Sequence, residues 1–103
     1  MTLALEQYKL RLGERFGAAL VEVRLFGSRA RGEAHAESDV DVLVVLERAG
    51  FDDRRTAIDL AADVGLEHGL IVSPTVFDRS TWARYREQER PLAAEIERDG
   101  ILV

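Results

Sequence analysis

The chain has 103 residues, 47% of them apolar, and no cysteine; that allows one domain, residues 1–103, with a single core, and excludes both a disulfide framework and a cysteine-ligated zinc centre. Fourteen Lys and Arg against 19 Asp and Glu leave a net charge of −5, which argues against generic nucleic-acid binding, because that needs a basic face to displace counterions. The opening MTLALEQYKLRLGERFG breaks its apolar residues with charges, so neither a secretory leader nor a membrane span is expected and the cytoplasm is the default location.

In chain order, residues 3–16 predict a helix, because Leu5, Tyr8, Leu12 and Phe16 recur on one face. Gly17 is its terminator. Residues 21–26, VEVRLF, alternate apolar and polar and predict a strand, half exposed at its start, that ends at Gly27-Ser28. Residues 28–34 predict a short helix opening at Ser28, and HAES at 35–38 a loop. Residues 40–46, VDVLVVL, form a nearly continuous β-branched run, the mark of a strand covered on both faces.

Gly50 to Asp53 predict a turn with a helix cap, and residues 54–67 a helix lined by Ala57, Leu60 or Ala61, and Val64. Residues 70–77, LIVSPTVF, predict a third strand; Pro74 donates no ladder hydrogen bond, which puts this strand at an edge or bulges it. Residues 80–89 predict a helix displaying Trp82 and Tyr85 on one face, for core packing first and a partner surface second. Pro91 suits the first position of another helix, Asp99-Gly100 ends it, and residues 101–103 predict a last short strand. Strands separated by helices predict an α/β (α+β) unit: a small, mixed β-sheet flanked by helices.

The chemistry gathers in GSRARGEAHAESDVDVLVV, residues 27–45. Residues i and i+2 of a strand share a face, so Asp39 and Asp41 point the same way. Alone, the pair also fits a cap plus a solvated strand residue. Two ionised carboxylates so close repel unless a cation, a proton or water relieves them, and magnesium, held by one or two carboxylates and substrate phosphates, is the natural cation. Gly27 lets backbone approach a ligand. The N–H groups after it and the Ser28 hydroxyl suit a phosphate, although Ser28 also suits a helix cap. Arg29 and Arg31 are near enough to add charge-assisted bonds, and Ser38 is read as a turn residue that positions Asp39. His35 reads as a solvated loop residue and His68 as a cation at a helix end.

Gly27-Ser28, ten intervening residues, then Asp39-Val40-Asp41 resemble the G-S-x10-D-x-D pattern of the minimal nucleotidyltransferases, small members of the DNA polymerase β-like nucleotidyltransferase superfamily; Ala30-Arg31-Gly32 and Ser38 also match. The resemblance implies that fold over the whole chain. It implies two Mg²⁺ ions on Asp39 and Asp41, and a nucleotide substrate, ATP, gripped by Gly27 and Ser28 with Arg29, Arg31 and Ser38 nearby. Asp39, Asp41 and Ser28 are then the catalytic set. It further implies transfer of AMP to a hydroxyl, typically a tyrosine, of a HEPN-type ribonuclease toxin, with this chain as antitoxin, in a homo- or hetero-oligomer. A single domain leaves little room for an acceptor-binding module of its own, which favours an acceptor brought by a partner. One departure stands out: the family adds a third acid on a later strand, where this chain carries Ser73 and Thr75, with Glu67 before and Asp78 after. A catalytically weak nucleotide-binding module that neutralises its partner by binding is the alternative.

Overall fold

The computed structural model describes residues 1–32 and 39–103. The expected loop at 35–38, with His35 and Ser38, therefore lies outside the described residues. The described elements are α1 (Thr2–Phe16), β1 (Leu20–Phe26), α2 (Ser28–Arg31), β2 (Val40–Leu46), α3 (Phe51–His68), β3 (Val72–Asp78), α4 (Arg79–Glu87), α5 (Pro91–Asp99) and β4 (Ile101–Leu102). None of the described helices is long and apolar enough to cross a membrane.

Among the described residues the strands form one mixed sheet in the order β3-β2-β1-β4. β1 pairs antiparallel with β2 and with β4, whereas β2 and β3 run parallel. The parallel pair requires a crossover, which α3 supplies. β2 lies between β1 and β3 and is buried along its length except at Asp41. That explains its unbroken apolar run. Pro74 sits on edge strand β3, as its missing N–H predicts.

The two faces of the sheet carry separate cores. Val40, Val42, Val44 and Leu46 of β2 pack with Val23 and Leu25 of β1 against α1 and α3, through Leu5, Tyr8, Leu12, Ala57, Ala61 and Val64. On the other face Leu43 and Val45 of β2, Phe26 of β1 and Phe77 of β3 pack against Trp82 of α4 and Ala93 and Ile96 of α5. Trp82 is buried and Tyr85 half-buried, with the Phe77 ring 5.6 Å and 4.9 Å from theirs. Both aromatics are thus core residues.

Some expected boundaries move. Gly17, at φ 57°, ends α1, and a single 3-10 turn follows over Gly17–Ala19. The helix expected over 28–34 closes at Arg31, because Gly32 takes the left-handed conformation at φ 73° and terminates it. α3 begins at Phe51, three residues ahead of the expected start: the Asp53 carboxylate accepts the Gly50 N–H at 3.1 Å, so the residues expected as a turn form the helix's first turn instead. His68, the last residue of α3, bonds Gln7 of α1 at 2.8 Å.

Tyr8 ties α1 to α3. Its ring is fully buried and its hydroxyl donates to the Ala57 carbonyl at 2.8 Å. Tyr8→Phe keeps the ring and removes the bond, so urea unfolding should report a loss of about 1 kcal/mol with an unchanged denaturant slope.

Candidate active site

The site is assembled where β1 ends and β2 begins. Antiparallel pairing sets Phe26, the last residue of β1, opposite Asp41. Continued outward, that register brings the Gly27-Ser28 turn alongside Asp39 and Val40. Gly27 adopts φ 77°, a conformation that side chains disfavour, and a Cβ there would collide with the Asp41 carboxylate oxygen Oδ2. Glycine is thus required twice: by the backbone and by the carboxylate resting against it.

α2 is a single turn. The N–H groups of Ala30 and Arg31 both donate to the Gly27 carbonyl, at 3.1 and 3.2 Å. Gly27 occupies the cap position and no side-chain bond caps α2, so Ser28 is not spent as a cap. One turn carries little macrodipole; what the turn offers an anion is the Ser28 hydroxyl and the N–H at its mouth.

Asp39 is exposed just ahead of β2, and Asp41 is half-buried within it. The Val40 N–H between them donates to the Ile71 carbonyl at 2.8 Å, which fixes the mouth of β2 against the approach to β3. In the parallel register Asp41 pairs with Ser73 and Leu43 with Thr75, so Ser73 and Thr75 share the Asp41 face. The Ser73 hydroxyl donates to Asp39 Oδ2 at 3.4 Å. β3 therefore presents the Ser73 hydroxyl beside the carboxylates, with Thr75 further along the same face, where a later-strand acid was the family expectation. The two acids flanking that strand in sequence are elsewhere: Glu67 pairs with Arg11 of α1 at 2.5 Å, and Asp78 accepts the Thr81 N–H at 2.7 Å as the cap of α4.

The third acid near the site comes from α5. Glu95 Oε1 accepts from Arg31 Nη1 at 2.8 Å. The Asp41 carboxyl is raised above the usual carboxylate range, first by burial and then by the negative charges of Asp39 and Glu95, while Arg31 partly offsets them. Arg31, Asp41 and Glu95 thus form one electrostatic group. Motif spacing does not reveal Glu95, which lies far along the chain from Asp41; its one legible trait is that it flanks the buried stripe of Ala93 and Ile96 on α5.

Arg29 does not join this group. Its guanidinium lies 4.0 Å from Met1 Sδ, in a groove with Leu5, Leu25 and Leu102 on the α1 side of the sheet. Residues one and two apart on a helix do not share a face, and here Arg29 reaches Met1 while Arg31 reaches Glu95. Ser38, expected to position Asp39, lies outside the described residues.

Two neighbouring carboxylates, one half-buried and raised toward proton uptake, are of the kind that suits magnesium. Among the described residues no group of three acids or histidines is placed to hold a metal. The described chain thus offers Asp39 and Asp41 and leaves the other positions of an octahedron to water and phosphate oxygens.

A family model described as the nucleotidyltransferase domain matches residues 5–90. The chain is 30% identical over 78 residues to a Methanocaldococcus jannaschii protein provisionally named a protein adenylyltransferase, covering 75% of this chain and 79% of that one. Among solved structures it resembles a minimal nucleotidyltransferase at 29% identity and a TM-score of 0.61, covering 95% of this chain and 90% of the other. It also shares its fold with a Shewanella oneidensis complex of a tri-AMPylated HEPN toxin and an MNT antitoxin, at 19% identity, a TM-score of 0.57 and coverage of 99% and 71%.

A raised carboxyl means that the folded state binds the proton more tightly than the unfolded state, so ionising Asp41 costs stability as pH rises through its titration. In metal-free buffer Asp41→Asn should raise the thermal midpoint at pH 7 by roughly 1–4 °C, and the gain should shrink as pH falls toward about 4. Calorimetric scans across that range check the sign.

Proposed function

The chain belongs to the nucleotidyltransferase domain family, and from that premise we propose that it is a magnesium-dependent protein adenylyltransferase. It transfers AMP from ATP to a hydroxyl, a tyrosine foremost, of a HEPN-type toxin, and so acts as an antitoxin. The observation that supports the reading is the register of β1 on β2, with Phe26 opposite Asp41 and Gly27 against the Asp41 carboxylate. The adenylyltransferase name of the archaeal relative and the AMPylated toxin of the Shewanella complex supply the acceptor class.

Asp39 and Asp41 are the residues that would hold magnesium, whose charge neutralises that of the triphosphate. Ser28 donates its hydroxyl to a phosphate oxygen beyond the α-phosphorus, and Gly27 allows the backbone to approach closely. Arg31, on the Asp41 side, adds a cation for the same phosphates. The acceptor oxygen bonds to the α-phosphorus as its bond to the bridging oxygen breaks. Pyrophosphate leaves held by the serine turn, and the hydroxyl proton passes to water, which reaches the exposed Asp39. Positioning and charge neutralisation carry most of the rate in such transfers. That suits a site where β3 presents a serine hydroxyl rather than a further acid beside the carboxylates.

Ser73 and Thr75 at the Asp41-facing positions of β3, whose one acid, Asp78, caps α4, favour a second reading, a module that binds nucleotide and masks its partner without transfer. Purified protein incubated with a HEPN partner, Mg²⁺ and ATP labelled in the α-phosphate separates the two. Label should appear on the partner, and the Asp39→Asn, Asp41→Asn double variant should lower its rate of appearance by about two orders of magnitude or more. A stable complex that stays unlabelled supports the masking module.

A further inference from the structure

α5 lies beyond the stretch that matches the family model, residues 5–90. It nevertheless places a carboxylate on the arginine of the phosphate turn. Arg31 Nη1 and Glu95 Oε1 are 2.8 Å apart, and each side chain keeps 32% of its surface exposed. An ion pair so open to solvent adds little to stability, and α5 has firmer anchors. Ala93 and Ile96 are buried in the second core, and Glu97 bonds Arg86 at 2.9 Å. The pair is therefore accessible to an incoming anion, and the helix does not need it to stay in place.

Resting on the nucleotidyltransferase reading above, we propose that Glu95 is a positioning residue that acts as an internal counter-anion. It holds Arg31 beside Asp41 until the polyphosphate of a nucleoside triphosphate displaces it. Glu95 opposes the polyphosphate in two ways: it occupies one guanidinium N–H, and it adds a negative charge beside Asp39 and Asp41. Its neighbour Arg98, bonded to Asp99, lies close enough to feel the charges of both Glu95 and Arg31. A displaced Glu95 therefore has a second cation within reach on its own helix. The device sets affinity: with the carboxylate in place, binding requires a ligand of high negative charge, which favours triphosphate over monophosphate.

The test is calorimetric titration of the full chain with inorganic tripolyphosphate in EDTA, and separately with ATP and Mg²⁺. Four proteins are compared: wild type, Glu95→Gln, Arg31→Gln and the double variant. Glu95→Gln should bind tripolyphosphate at least about threefold tighter than wild type, and most of that gain should be lost in the Arg31→Gln background. Equal or weaker binding by Glu95→Gln, or the same gain without Arg31, overturns the counter-anion. If wild type still binds ATP with Mg²⁺, the nucleotidyltransferase reading survives that failure. If none of the four proteins binds tripolyphosphate or ATP with Mg²⁺, both readings fall.

Discussion

The site depends on the contact between a missing side chain and a carboxylate. Asp41 rests against Gly27, where a Cβ would overlap its Oδ2 atom. The antiparallel register of β1 on β2, with Phe26 opposite Asp41, makes that approach unavoidable. A slip of one residue would turn every β2 side chain to the other face. It would put Asp41 in the core with α1 and α3, and bring Val40 and Val42 out beside the serine turn. The apolar residues of β2 hold the register because all of them are buried, on one face or the other. Burying each such side chain contributes about 1.5–3 kcal/mol, and together they offset the cost of keeping one half-buried acid between them.

Charge explains what is built around that contact. Burial raises Asp41, and the negative charges of Asp39 and of an acid from α5 add to the effect. Arg31 is the described counter-charge, shared between Asp41 and Glu95. Under the proposed function, a divalent cation with a polyphosphate would balance these carboxylates. The excess acid of the composition, net −5, is thus compatible with an anionic substrate, since the charges that meet it are local. On β3, Ser73 and Thr75 line the same face, and Ser73 bonds Asp39. The Ser73 hydroxyl bonds an existing carboxylate where another acid would have added to its repulsion.

The sequence by itself determined the elements whose signals are local. The apolar run 40–46 is a strand covered on both faces because every neighbour in that run is apolar. Gly17 and Gly69 close helices at positive φ, Pro91 opens one, and Pro74 lies on an edge strand. The spacing of Gly27 from Asp41 also carried real information, because antiparallel pairing of β1 with β2 converts it into adjacency. What only the tertiary structure decided concerns direction and distance in space. Arg29 and Arg31 are alike in sequence, yet one turns to Met1 and the other to Asp41 and Glu95. Glu95 belongs to the site because α5 packs Ala93 and Ile96 onto the Asp41 face of the sheet. The start of α3 and the early close of α2 turned on an Asp53 bond and a left-handed Gly32, features worth too little energy to outweigh the patterns around them. Periodicity records which residues are buried; the side of the sheet a helix covers follows from packing among elements distant in the chain, which no local pattern contains.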